Sequence, residues 1–227
     1  MIGSTMAAAA TVELAYATTA WFRYGHPGKS ARPDAMLDRL MPDCEVAESH
    51  EIEVDAPAEV TYAAACLLDL NRSRLVRAIF KGRELLMRSP SPTLSPKAIR
   101  MRELTTLGWG VLAEEPDREI VLGAITQPWQ ADVKFESLPP DEFVAFNAPG
   151  YAKIVWTLGA EPVDETRSVF RTQTRVTTTD AESRRRFRRY WALVSPGILL
   201  IRRSMLPLVK ADAEHRYRSA LIVGGMR

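Results

Sequence analysis

Cysteine is nearly absent: Cys44 and Cys66 are the only two among 227 residues. One disulfide at most can form, and neither spacing resembles a zinc clip, so each reads as a small buried hydrophobe in a reduced protein. Histidine is as scarce. His26, His50 and His215 lie far apart and lack the local spacing of a familiar metal motif, so no metal is expected. The glycine spacings fit neither a dinucleotide fingerprint nor a phosphate loop, and no serine sits in a nucleophile elbow. Cofactor-dependent redox chemistry and nucleotide hydrolysis are therefore set aside, and no cofactor is expected. Charge of one sign is missing too: 30 Lys and Arg against 28 Asp and Glu leave +2, too little to mark a nucleic-acid partner. Internal repeats are absent.

The length suits one sizeable core with a small appendage. Residues 1–35 read as an N-terminal apolar helix and linker, 36–220 as the domain proper, and 221–227 as a tail. The stretch TMAAAATVELAYATTAWF approaches the roughly 20 residues that span a bilayer, but Glu13 interrupts it and four threonines dilute it. Three readings stay open for it: a soluble or surface-lying helix, a membrane anchor, or a signal cut after Ala15-Tyr16-Ala17. Localisation is correspondingly cytoplasmic or membrane-associated. RYGHPGKSARPD, residues 23–34, mixes Gly, Pro and charge without period and reads as the linker.

From residue 44 the pattern becomes regular. Val46, Glu48, His50, Ile52 and Val54 share one face of an extended strand, and a solvent-like set with Glu45, Glu51 and Glu53 shares the other. Pro57 in a first turn, with Glu59 near the positive helix end, starts a helix whose apolar face is Val60, Ala63, Ala64 and Leu67. Residues 73–87 repeat that grammar as a second short helix, and the proline-rich run at 89–96 suits neither helix nor central strand. Past residue 105 the period falls to two. A hairpin turns at Glu115-Pro116-Asp117, and further strands are expected at EFVAFN, AKIVWTLGAEPV and SVFRTQTRVTTT. The last element is helical: Phe187, Tyr190, Val194, Ile198, Ile201, Met205 and Leu208 recur every three or four residues without losing phase at Pro196, which predicts one long helix kinked there.

Strand, two short helices, a meander of strands and one long helix make an α+β order. On the residues HEIEVDAPAEVTYAAACLLD, GAITQPW, FNAPGYAKIVWTL and RTQTRVTTTDAESRRRFRRYW the chain resembles the START-like or SRPBCC superfamily, which includes polyketide cyclases and lipid-transfer domains. The resemblance covers about residues 40–217. It is similar to an uncharacterised bacterial subgroup sharing LDRLMP and FRRYW, and that subgroup brings no assigned reaction. The resemblance implies a helix-grip fold, in which a curved antiparallel sheet wraps around the long C-terminal helix. It also implies an apolar cavity between them for a hydrophobic small molecule such as a lipid or polyketide-like compound.

In that fold the first and last strands are neighbours, so Glu48 and His50 would turn inward beside Thr172 and Thr174, with Glu51 and Glu53 facing Arg171 and Arg175 outside. Buried polar groups need partners. Glu48 and His50 are either satisfied within the core or orient a ligand's polar group. Further candidates for ligand contact are Gln127 and Trp129 at the hairpin end, Trp156 and Phe170 on the inward parity, and Tyr190 on the apolar stripe. Three functions stay in view: binding or carriage of a hydrophobic molecule; a cyclase or dehydratase using His50, with Glu48, as general acid or base; and a membrane-associated scaffold without ligand. Ten Lys or Arg against three acids over residues 181–218, densest at Arg184–Arg189, form a solvated face or a patch for anionic lipid.

Overall fold

The computed structural model describes Thr19, Tyr24, residues 34–69 and residues 101–224. Its elements run α1 (Ala35–Leu40), β1 (Val46–Val54), α2 (Ala58–Leu67), a 3₁₀ segment (Met101–Leu107), β2 (Gly110–Glu115), β3 (Glu119–Thr126), β4 (Phe135–Glu136), α3 (Pro140–Ala145), β5 (Ala152–Pro162), β6 (Ser168–Thr178) and α4 (Ala181–Gly224). The sheet order is β1-β6-β5-β3-β2, with β4 paired to β3. Every pairing is antiparallel. The long α4 packs across β1, β6 and α2. This is the helix-grip, START-like architecture. The second short helix expected at 73–87 and the proline-rich run after it lie outside the described residues.

Side-chain alternation divides the sheet. Its inner face carries Val54, Ile120, Leu122, Trp156, Leu158, Ala160 and Phe170, which pack on α2 and on Met205, Leu206 and Val209 of α4. At the other end of α4, Val46, Ala152 and Val176 meet Phe187 and Trp191. Of these α4 residues Phe187 and Met205 lie on the predicted stripe, whereas Trp191, Leu206 and Val209 lie one position beside it, and Tyr190, Val194 and Leu208 are only half-buried; α4 runs unbroken through Pro196 and Pro207. At about 1.5 Å per residue its 44 residues extend roughly 66 Å. Among the described residues only α4 is long and apolar enough to cross a membrane, yet it lies along the sheet as a core helix does. Asp180 starts it, accepting hydrogen bonds from the backbone N–H of Glu182 (2.8 Å) and Ser183 (2.9 Å). The Ser183 hydroxyl and the Gly150 N–H also donate to that carboxylate, each at 2.6 Å, and the Ser183 hydroxyl bond first, then the backbone bonds, hold its pKa well below the usual carboxylate range.

Four expectations need correction. EFVAFN is not a strand: Pro140 opens the helix α3 with Asp141 and Glu142 in its first turn. Proline fixes a helical φ and the acids suit the positive helix end, which outweighs the β-favouring Phe and Val. The face of α2 is also rotated from the predicted one. Thr61, Tyr62 and Ala65 are buried while Ala63 and Leu67 are exposed, because the polar atoms find partners inside: Thr61 with Ser168 at 2.8 Å and Tyr62 with Glu114 at 3.1 Å. Within the stretch read as linker, Tyr24 is buried against Phe187 (ring centroids 6.0 Å apart), and its hydroxyl donates to Glu45.

The outer face, expected to be solvated, is the fourth. Leu37 and Leu40 from α1, Met41 just after it and Phe143 from α3 pack on Leu112, Val121, Ile125 and Val155, forming a second core there. Farther along that face a charged row crosses four strands, Glu119 opposite Gly159, Gly159 opposite Arg171, and Arg171 opposite Glu51. Arg171 donates to Glu51 at 3.3 Å and, through both terminal nitrogens, to Glu161. Arg175 instead reaches Asp38 of α1 at 2.7 Å, so Glu53 does not pair with it.

Glu119 ends this row on β3. Burial, then the neighbouring Asp34, pushes its carboxyl up to about 8, with Arg171 acting in the opposite sense. A folded-state pKa above the ordinary 4.5 means the native state holds a proton that the unfolded chain releases. The associated stability is complete below about pH 4.5 and is lost as pH rises towards 8. Glu119→Gln should therefore raise stability by about 1 kcal/mol at pH 8.5, a value discounted for the wet part of the side chain, and leave it unchanged at pH 4.5. Urea melts at the two pH values check this; parallel curves for variant and wild type would contradict it.

Candidate functional site

Between the two apolar clusters on the inner face lies a polar belt. The β1–β6 register sets Glu48 opposite Thr174 and His50 opposite Thr172, and the β5–β6 register sets Trp156 opposite Thr174. The Trp156 indole N–H donates to Thr172 Oγ1 at 2.6 Å, and that hydroxyl donates to the Thr157 carbonyl at 2.8 Å. Thr172 is thereby fixed as a structural relay. Phe170, fully buried, belongs to the apolar cluster next to the belt.

Arg202 completes the belt from the helix side. Its guanidinium carbon stands 3.8 Å from the centroid of the Trp156 ring, a cation–π contact worth about 2 kcal/mol when desolvated. Removing a cation from water costs several kcal/mol, and no charged partner among the described residues offsets it here. Nη1 is buried without a hydrogen bond, and burial is the one influence on its pKa, drawing it down to about 9. Arg202 therefore stays cationic at neutral pH. Across from it, burial lowers the His50 pKa, and Arg203 and Arg202 lower it further. His50 is neutral at pH 7, and its Nε2 is buried with no partner. Ser195, two helical turns before Arg202 on the same side of α4, has a buried hydroxyl without a partner as well.

An aromatic chain leads to this point. Trp109 stacks on Phe135 with centroids 5.2 Å apart and meets Trp156 edge-on at 6.2 Å. Trp109 and Arg202 were not among the sequence candidates. Position 202 carried a signal all the same, being in phase with Trp191, Ser195, Ile198 and Val209, so that the stripe holds an arginine where a core position is due. In the charge count it was masked by its neighbour Arg203.

The remaining candidates fall elsewhere. Gln127 donates to the Gly150 carbonyl at 2.7 Å and accepts from Gln130 at 2.5 Å, bracing a loop. Trp129 and Tyr190 pack against the Phe187 cluster at the far end of α4. The belt thus gathers Glu48, His50, Trp156, Thr172 and Thr174, and does not gather Gln127, Trp129 or Tyr190. Among the described residues no cluster of His, Cys, Asp or Glu has the makings of a metal site. Among the described residues Cys44 and Cys66 form no disulfide.

No family model matches the chain, and no curated protein does. Several solved structures share its outline. A conserved protein from Geobacillus kaustophilus is 10% identical, with 77% of this chain and 96% of that one covered and a TM-score of 0.32. The Zhui aromatase/cyclase from Streptomyces sp. R1128 is 15% identical, with 77% and 96% covered and a TM-score of 0.30. A START superfamily protein from Mycobacterium smegmatis is 11% identical, with 77% and 98% covered and a TM-score of 0.27. At such scores the likeness adds nothing to what strand order and α4 already establish. The protein is thus of the helix-grip class, with a polar belt set into its inner face.

Proposed function

We propose that the protein binds a hydrophobic small molecule, of lipid or polyketide-like character, between the inner face of the sheet and α4. The observation that carries this reading is partial exposure where a sealed core would have none. Glu48, His50, Ile52 and Ile154 of the sheet and Ile198, Ile201 and Arg202 of α4 all keep some accessible surface, although the two sets are turned towards each other. Apolar walls with a few placed polar groups are the usual make-up of a small-molecule site. Binding is favoured over cyclase or dehydratase chemistry because the α4 groups that act on His50 are the guanidinium groups of Arg203 and Arg202, and a guanidinium charged at neutral pH is not a general acid or base there. Solvent extraction of the purified protein followed by mass spectrometry should yield a stoichiometric apolar compound. Trp156→Ala should lower its retention about tenfold, and equal retention by variant and wild type would remove Trp156 from the site.

A membrane surface as partner has its own support, on the outward side of α4. Leu193 is 69% and Leu200 48% exposed, and Arg185, Arg189 and Arg203 are exposed on either side of them. Such an apolar pair flanked by arginines suits the headgroup region of anionic lipid. Part of the Arg184–Arg189 charge is neutralised internally, since Arg184 pairs with Glu45 and both Arg185 and Arg186 pair with Glu182. Sedimentation with vesicles should show binding to phosphatidylglycerol-containing membranes that Leu193→Glu combined with Leu200→Glu reduces at least about fivefold. Full binding by the double variant would exclude this face.

A further inference from the structure

We propose that the molecule held against α4 is an amphipathic acid, its apolar body lying along the Trp156 side of the site and its carboxylate bound by Arg202 and His50. This rests on the reading that the inner face takes a hydrophobic ligand, and adds the chemistry of that ligand's head.

Two walls present unanswered hydrogen-bonding atoms. Arg202 Nη1 comes from α4 and His50 Nε2 from β1, and each is buried without a partner. The elements carrying them pack together, with the Trp156 ring under the guanidinium. Side chains within a finished core are satisfied by one another; orphans on opposing walls call for a third party that reaches both. Arg202 makes no ion pair with a described carboxylate, although elsewhere on α4 Arg184, Arg186, Lys210 and Arg216 all have acidic partners. A planar carboxylate offers one oxygen to the guanidinium fork and the other to a neutral imidazole N–H. The same charges exclude an ammonium head: Arg202 and Arg203 already disfavour a second positive charge at His50. A neutral ester or alcohol would leave the guanidinium without a counter-charge.

Burial holds Arg202 below the ordinary arginine value while leaving it charged at pH 7. The empty site is consequently the strained one, and an acid relieves it. Removing the cation should therefore make the ligand-free protein more stable while making it a poorer receptor for acids. That pair of opposite effects separates a binding role from a structural one, since a structural arginine would lose stability when replaced.

Two matched pairs of probes test this: dodecanoate with methyl dodecanoate, and 1-pyrenebutyrate with its methyl ester, titrated into the full chain and followed by tryptophan fluorescence at pH 7.5. Wild type should bind each acid at least about tenfold more tightly than its ester. In Arg202→Met the preference should vanish through weaker acid binding, with the ester's affinity kept and the thermal midpoint of the ligand-free protein raised. Arg202→Lys should retain part of the preference. Equal affinity of wild type for acid and ester would overturn the acid assignment while leaving a hydrophobic site standing. Binding of neither member of either pair would overturn both. A lowered midpoint for Arg202→Met would also count against the proposal, by marking the arginine as structural.

Discussion

Phe143→Ala should cost about 3–5 kcal/mol of unfolding free energy, the usual range for truncating a fully buried phenylalanine. The ring is wholly inaccessible and belongs to the core on the outer side of the sheet, with Leu37, Leu112 and Val121 around it. Gly123, lacking a side chain, leaves the room it shares with Leu112: a Cβ there would lie 2.2 Å from Leu112 Cδ1 and 3.4 Å from the Phe143 ring. The Lys153 ammonium stands 5.1 Å from the ring centroid and donates to the Val144 and Phe146 carbonyls, so the ring also shields a partly buried cation whose pKa burial lowers. Truncation leaves a cavity and wets the lysine. Because α3 covers the outer face and does not touch the polar belt, ligand affinity should change less than threefold in whatever fraction remains folded. Denaturant melts decide it; a loss under about 1 kcal/mol would mean that α3 is a loosely held flap.

Gly108→Ala should be costly for a different reason, by about 3 kcal/mol. Gly108 has φ +90°, a conformation that strains any residue bearing a Cβ. Its added methyl would also fall 1.9 Å from the Phe135 carbonyl oxygen. That obstacle is backbone, so the short strand β4 must move away. Phe135 is the ring on which Trp109 stacks, and Trp109 in turn meets Trp156. The expected signature is therefore double: a lower melting temperature, and a change in the tryptophan near-ultraviolet circular dichroism even below the melt. An unchanged spectrum would show that the aromatic chain does not depend on this turn.

The parts of the molecule legible from sequence are those governed by period. Alternation in β1, β5 and β6 and the three-and-four spacing of α4 followed from which side chains must be kept from water, and the structure agrees through Pro196. What escaped was set by competing local chemistry. In EFVAFN the hydrophobic content favoured a strand, but the preceding Pro139-Pro140 and the acids after it had already fixed a helix start. In α2, choosing a face by apolarity alone overlooked Thr61 and Tyr62, whose hydroxyls are buried because Ser168 and Glu114 receive them. The site divides similarly. The inward placement of His50 opposite Thr172 was legible because strand parity and register are simple. Arg202 was missed because a cation on a buried stripe contradicts the rule used to draw the stripe, and such contradictions concentrate at functional positions.

Isotope-filtered nuclear Overhauser spectra of the protein with bound dodecanoate test the central claim most directly. Contacts from the ligand's methylene protons to Trp156, His50 and Ile201 are the predicted result, placing the chain between sheet and α4. Contacts confined to Leu193 and Leu200 on the opposite side of that helix, with none to Trp156, would contradict it.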